Sequence, residues 1–436
     1  MSILYAGFGR GEISPDTVVP LNSVRRSGDV MEPLYASCTA LSDETTRIFI
    51  FSVDTRGVTD GLVRRVRSLL KAELGIEEES VFLVATHTHS APDVSFEGTE
   101  PIESWIRNIA LPAFLAAAKE ALEDLSPCQV QGGTAKTRGV NFVRRYFRAD
   151  GAFHGLHIVE TSDAPVDRHE SEADPEVRVL RFVREDKREI LLVNWQNHAA
   201  EAAITHKGKI CADFIGPMRD RLEEGGKAFA MYLQGACGNI NSLTEVPAEQ
   251  HEPGVTVSGY VRIGQELARA VEEAVASAQD LKTGEIRLST QYLTGIVNHS
   301  KSHMAPLVSK VWDAEPADRM RVAQELGFAS RYEASAVARR AKMGETAEIP
   351  LTAVAIGDFA LTFNPFEMFD VNCVEVREAS PFALTFTVGY TGGSFGYLPS
   401  AFGFLNGGYE TLQCNYMPGT GERVASKMAR MLKELY

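Results

Sequence analysis

The sequence predicts an α/β protein: a mixed, largely parallel central sheet flanked by helices, with a smaller C-terminal α+β portion completing the site. Three observations predict it. Residues 47–85 run strand, amphipathic helix, strand, the order of a parallel crossover unit. Residues 177–278 repeat strands and helices in the same manner. From Gly284 the pattern changes to hairpin-like strands and short helices, which marks the smaller portion. With no internal repeat and no obvious linker, residues 1–436 read as a single unit, approximately 1–283 and 284–436 in its two parts.

In order, Leu4 to Phe8 reads as a first strand, and the proline-bearing residues 13–33 as loop. Ala36–Leu41 and Arg47–Val53 form a hairpin around Ser42-Asp43-Glu44. A helix spans Thr59 to Leu74, with Asp60 in its first turn and Gly75 as its stop. The apolar run Val81–Ala85 is a buried strand leading into Thr86-His87-Thr88-His89-Ser90-Ala91-Pro92. If the strand continues, His87 and His89 share a face. Ile102 to Leu125 is a helical pattern interrupted at Pro112, and residues 128–134 form a strand. Arg138 to Asp150 is basic, with Arg144-Arg145 at its centre, and residues 152–176 read as a polar surface loop. Val177–Val183 and Ile190–Trp195 pair as strands, the second running toward His198. A helix over 213–224 takes Asp213 as its N-cap, and Ala228–Leu233 is a strand ending in Gln234-Gly235-Ala236-Cys237-Gly238-Asn239. Val257–Ala278 is an amphipathic helix. Further on come strands at 286–292 and 297–302, a long charged helix over 316–342, and a hairpin at 352–363. Asn364-Pro365-Phe366-Glu367 opens a helix to about Glu378; a strand at 382–388, a Gly/Tyr/Phe-rich segment and a terminal helix from Glu422 follow.

Composition sets the function classes. A net charge of −14 argues against a nucleic-acid partner. No apolar run approaches membrane-spanning length, and the first ten residues lack the features of a signal peptide. The six cysteines are scattered without a CxxC, which argues against a disulfide framework and a thiolate zinc site and fits a reducing cytoplasm. Chemistry is concentrated at element ends: His87 or His89, His198 and Glu367. Three or four such donors can hold a metal that activates water, whereas a lone histidine at a strand end is commonly just a hydrogen-bonded residue. The first two histidines are therefore metal ligands or an acid/base pair.

Several stretches together resemble the neutral/alkaline non-lysosomal ceramidase family. They are Ala6-Gly7-Phe8-Gly9-Arg10-Gly11-Glu12-Ile13-Ser14-Pro15, Asp54, the HTHSAP stretch and Val143-Arg144-Arg145-Tyr146. Asp174-Pro175-Glu176-Val177, Asn194-Trp195-Gln196-Asn197-His198, the Gln234–Asn239 turn and the tyrosine-rich tail continue the series in order. The resemblance implies an α/β zinc amidohydrolase fold, with zinc held by His87, His198, Glu367 and Tyr397. It places His89, Arg144 and Tyr409 around the substrate, and implies attack of zinc-activated water on an amide carbonyl. His89 and Tyr409 would move protons or stabilise the oxyanion, and Arg144 would contact a polar substrate group. The chain departs from the family at His198-Ala199-Ala200, Gly238-Asn239 and Asn364-Pro365-Phe366-Glu367, and it has no C-terminal β-sandwich. Those departures point to a small soluble amide or ester in place of ceramide. Alternatives are an inactive small-molecule-binding relative and a metal-dependent lactonase, phosphoesterase or sugar-processing enzyme.

Overall fold

A computed structural model describes residues 3–22, 25–155, 162–242 and 259–436. Its centre is a nine-stranded mixed sheet. From one edge to the other it runs Ala228–Gln234, Glu189–Trp195, Glu176–Arg184, Ser126–Lys136, Tyr5–Glu12, Tyr35–Ser42, Arg47–Val53 and Val81–Ala85, with Gln279–Leu281 joining Ser126–Lys136. The expected α/β class, a mixed sheet flanked by helices, is found. The balance of pairing differs from expectation. Only the two outermost pairs are parallel, Glu189–Trp195 with Ala228–Gln234 and Arg47–Val53 with Val81–Ala85. The pairings between them are antiparallel. The reason is the connections: a parallel pair needs a crossover, supplied by Ile215–Glu223 and Asp60–Leu74, whereas tight turns at 43–46 and 185–188 reverse the chain.

The sheet curls until its two edges approach. Ser52 Oγ on one edge strand's neighbour donates to the Tyr232 carbonyl on the other edge at 2.5 Å. Arg10 crosses the same space to the Ala230 carbonyl at 3.2 Å. Curling brings the C-terminal ends of both parallel pairs together, which is where the candidate residues lie.

The molecule is four layers deep. Helices Asp60–Leu74, Leu111–Glu123, Ile215–Glu223 and Gly259–Ala276 cover one face of the large sheet with a core of Phe49, Phe51, Phe114, Phe214 and Leu267. Its other face packs on a four-stranded sheet, Ile286–Ile296, Thr346–Ile356, Phe359–Phe363 and Leu384–Val388, through Phe82 stacked on Phe363 at 4.6 Å and Phe182 edge-on to Phe359. Helices Asp370–Glu378 and Thr420–Leu435 close the far side, burying Val376, Val424, Met428 and Leu432.

Local signals explain most elements. Thr59 caps its helix by accepting from the Leu62 amide, and Gly75 ends it in the left-handed conformation. The interruption near Pro112 is a π-helical turn, Ile106–Ala110, with the proline inside the first turn of the next helix, where its missing N–H costs nothing. Other expectations are corrected. The charged helix over 316–342 is two helices, Arg319–Glu325 and Arg331–Arg340, separated at Gly327 (φ 92°) and restarted by Ser330 capping Glu333. Residues 286–296 are one long strand, and of the strand expected at 297–302 only an isolated bridge from Val297 to Tyr416 forms, with a 3-10 turn following at Ser302–Leu307. Part of the expected surface loop pairs instead, Phe153–His154 and Val166–His169 flanking Tyr146–Arg148, while residues 156–161 lie outside the described residues. The helix near 213 begins at Ile215. Asp213 precedes its cap and accepts from the Ala202 and Phe214 amides.

Candidate metal centre

The strand Val81–Ala85 stops two residues before His87, so strand alternation is not what pairs the histidines. His87 instead has φ 65°, a left-handed conformation rare for a non-glycine residue and typical of functional sites. The turn is held by Thr88 Oγ1 donating to the Cys211 carbonyl and by the His89 amide donating to the Ala199 carbonyl. That second bond ties the His87 segment to the segment carrying His198.

The three imidazoles meet at their Nε2 atoms: His87 to His198 at 3.1 Å, His198 to His89 at 3.1 Å, and His89 to His87 at 3.3 Å. Two Nδ1 atoms decide the proton arrangement. His87 Nδ1 lies 2.6 Å from the Arg56 carbonyl, and His198 Nδ1 lies 3.0 Å from the Cys237 carbonyl. A carbonyl only accepts, so His87 Nδ1 carries the proton; His198 Nδ1 carries it when it serves the Cys237 carbonyl, the nearer partner, in preference to Arg144 Nη1 at 3.3 Å, and in a neutral ring of this tautomer Nε2 is a bare lone pair. Two bare lone pairs face each other with no proton between them. Glu367 Oε2 joins them 3.5 Å from His87 Nε2, buried and without a hydrogen-bond partner. Converging acceptors of this kind can hold a cation.

Four buried residues, His87, His198, Cys237 and Glu367, place one donor atom each within 4.8 Å of one another. Tetrahedral zinc with Zn–N bonds of about 2.0–2.1 Å holds its nitrogens ~3.3 Å apart, close to the spacings of the histidines. The nitrogen and carboxylate donors suit zinc chemistry, and the carbonyls behind both rings are the outer contacts that orient ligand histidines. Electrostatics agree with a cation at this point. Burial pushes His198 and His89 well below the usual histidine range, reinforced for His198 by His87 and for His89 by Arg56, so both rings are neutral at pH 7. Burial would raise the Glu367 carboxyl, but positive charge at the His87 and His198 positions and a hydrogen bond from Tyr390 pull it well below the usual carboxylate range; with both rings neutral, that positive charge is what a bound cation would supply.

Glu367 lies on a two-residue strand, Glu367–Met368, paired in parallel with Tyr397–Leu398; the expected helix begins at Asp370. Glu367 and Tyr397 are direct register partners, which places the tyrosine beside the cluster. Behind them, the amide of Gly238 donates to the Met368 carbonyl, and a Cβ on Gly238 would come 2.5 Å from the Glu367 carbonyl oxygen. Only glycine permits that approach.

Arg144 lies behind the cluster, 5% exposed. Its Nε donates to Glu410 at 2.7 Å, Nη1 to Asn241 at 3.1 Å, and Nη2 to the Gly238 carbonyl at 2.8 Å and the Tyr397 hydroxyl at 3.2 Å. Its nitrogens are engaged in the protein, Nη1 lying also 3.3 Å from His198 Nδ1, and Arg144 is not among the residues that line the adjoining cavity. Tyr409 does line that cavity, with its ring 5.4 Å from Tyr397, and burial pushes its phenol up to about 12. His87 and His89, given different tasks by the resemblance, stand equally close to His198, at 3.1 Å each, and His87 is the one of the two that groups with Cys237 and Glu367.

Three residues were missed in the sequence. Cys237 reads there as a small core residue, although it sits in the Gln234–Asn239 turn already singled out. Tyr390 stacks on His87 at 4.4 Å, and no local motif announces it. Glu410 is fully buried and joins Arg144 to Arg145, which also grips Glu170.

No family model matches the chain, and no curated protein matches it by sequence. Solved structures do. The neutral ceramidase from Pseudomonas aeruginosa superposes with a TM-score of 0.74 at 15% identity, covering 100% of this chain and 75% of that one. A ceramidase complexed with C2 gives 0.71 at 16% identity, covering 100% and 76%. From the curled sheet to the terminal helix, this chain has the neutral ceramidase fold.

Proposed function

We propose that this protein is a zinc-dependent amidohydrolase that cleaves an amide bond of a small, soluble N-acyl compound. The observation that carries the reading is the convergence of the bare Nε2 atoms of His87 and His198 with the unpartnered Oε2 of Glu367. His87, His198 and Glu367 would hold the ion, with Tyr397 as the fourth protein group. Zinc, when bound, supplies a Lewis acid that polarises a carbonyl and lowers the pKa of water. His89, neutral and adjacent, takes a proton at Nε2. Tyr409, a protonated phenol at neutral pH, donates a hydrogen bond to developing negative charge on the carbonyl oxygen. Arg144 positions Tyr397. We read residues 1–436 as one catalytic unit, since His87 and Glu367 come from its two parts.

Substrate size follows from the cavity next to Glu367, which is about 270 Å³ and lined by both charged and aromatic side chains. That space suits a small N-acyl compound better than a two-chain lipid. No described helix is long and apolar enough to cross a membrane, and the six cysteines are unpaired, which supports a cytoplasmic setting.

The test is His198→Ala. Purified without chelator, wild type should carry about one equivalent of zinc and hydrolyse members of a panel of N-acyl amides, lactones and phosphoesters, with amides preferred. The variant, with an unchanged circular dichroism spectrum, should lose both metal and turnover. Full zinc occupancy in the variant would refute the ligand assignment; a wild type that prefers lactones or phosphoesters would refute the amide.

A further inference from the structure

The cavity beside Glu367 carries two guanidinium groups that the proposed chemistry does not use, Arg56 and Arg339. Arg56 is central to the site's construction. Its carbonyl anchors His87 at 2.6 Å, so its side chain starts one hydrogen bond away from a metal-binding ring. That side chain is 38% exposed, and its ion pair with Asp93 is loose at 3.7 Å. Arg339 is braced differently: Nε donates to Asn415 Oδ1 at 2.8 Å and Nη2 to the Gln413 carbonyl at 2.7 Å. Its Nη1 has no partner among the described residues. Against these cations the described residues of the wall present two carboxylates, Asp93 and Glu367, and Glu367 is committed to the cluster.

We infer that the cavity receives a carboxylate carried by the substrate, with Arg56 as its principal partner and Arg339 as a second positive charge on the wall. This rests on the amidohydrolase reading and names its substrate class, an N-acylated amino acid or a similar monoanionic amide. A guanidinium matches a carboxylate through paired donors, and a partly dehydrated cavity strengthens the match. Asp93 limits the charge: its carboxylate balances part of Arg56, so a monoanion is accepted and a dianion such as phosphate is repelled. Charge selection also separates this chain from enzymes acting on neutral lipid amides, whose substrates would leave both guanidinium groups without a counter-ion.

Zinc-loaded protein should be titrated calorimetrically with the N-acetyl derivatives of glycine, alanine, leucine and phenylalanine, each beside its primary carboxamide, and with inorganic phosphate. The acid of at least one pair should bind about tenfold more tightly than its amide, and phosphate more weakly than that acid. Arg56→Gln should bring acid and amide within about threefold of each other, Arg56→Lys should restore part of the difference, and both variants should retain one equivalent of zinc. Equal binding of acid and amide in every pair, no binding by any acid, tighter phosphate binding, or a preference that survives Arg56→Gln would each overturn the inference. Turnover separates the two proposals. Hydrolysis without acid preference sinks the carboxylate pocket alone, and acid preference without hydrolysis sinks the amidohydrolase reading alone.

Discussion

Single protons govern this molecule at the residue scale. His87 and His198 each turn Nδ1 to a carbonyl, which favours the Nδ1–H tautomer and leaves Nε2 free to bind a cation. Asp213 illustrates the opposite case. It is wholly buried two residues after Cys211, its carboxyl oxygens accept, among the described residues, from the Ala202 and Phe214 amides, and burial pushes it from 3.8 up to about 7. The folded state therefore keeps a proton that the unfolded chain releases above 3.8. The Asp213 contribution is fully present below that value and falls as pH rises toward 7, by about 1.4 kcal/mol per pH unit in the window. Urea unfolding at pH 5 and pH 8 should show this loss in wild type and a flatter pH dependence in Asp213→Asn. Equal slopes in the two proteins would show that the carboxyl does not titrate between those values.

At the scale of elements, the feature that matters most is the shortest strand. Glu367–Met368 is fixed between Tyr397–Leu398 and the Gly238 turn. Gly238→Ala inserts a methyl group 2.5 Å from the Glu367 carbonyl oxygen and 3.0 Å from that of Met368, so the strand must shift. Zinc affinity, measured by chelator competition, should fall about 10–100-fold, the usual cost of disturbing a ligand's support, while the circular dichroism spectrum stays the same. Unchanged affinity would mean that Glu367 moves freely or is not a ligand. These elements also show what could be read from sequence. The helix Asp60–Leu74, read as Thr59 to Leu74, and the strand Val81–Ala85 were legible to within a residue, because an acidic first turn, a glycine stop and an apolar run are local signals. The setting of Glu367 was not, since a two-residue strand depends on a register partner thirty positions away. His87 and His89 do converge, but through a left-handed turn, so strand alternation gave the right neighbours for the wrong reason.

For the whole molecule, Glu410 is a keystone. It accepts from Arg144 at 2.7 Å and Arg145 at 2.9 Å, while Arg145 also pairs with Glu170 at 2.6 Å. The network joins the tail to the middle of the chain under the candidate site, and all four side chains are almost fully buried. Glu410→Ala leaves two guanidinium groups with a lost partner in a dry interior and should destabilise the protein by about 3–5 kcal/mol, read from denaturant unfolding. A loss under about 1 kcal/mol would place the pair among weak surface bridges. Sheet curling was equally invisible in the sequence, because edge-to-edge approach is a property of strand order, not of any one strand. The same geometry has a consequence for how the protein is made. The donors are strung out from His87 to Glu367, so a ribosome adding 5–20 residues per second needs roughly 14–56 s to travel from the first to the last. During that interval the nascent chain holds imidazoles without their carboxylate. Capture of a metal by the full donor set would thus be a late event, closed only when translation has passed residue 367, and a product released before that point has an incomplete donor set however well its first sheet has folded.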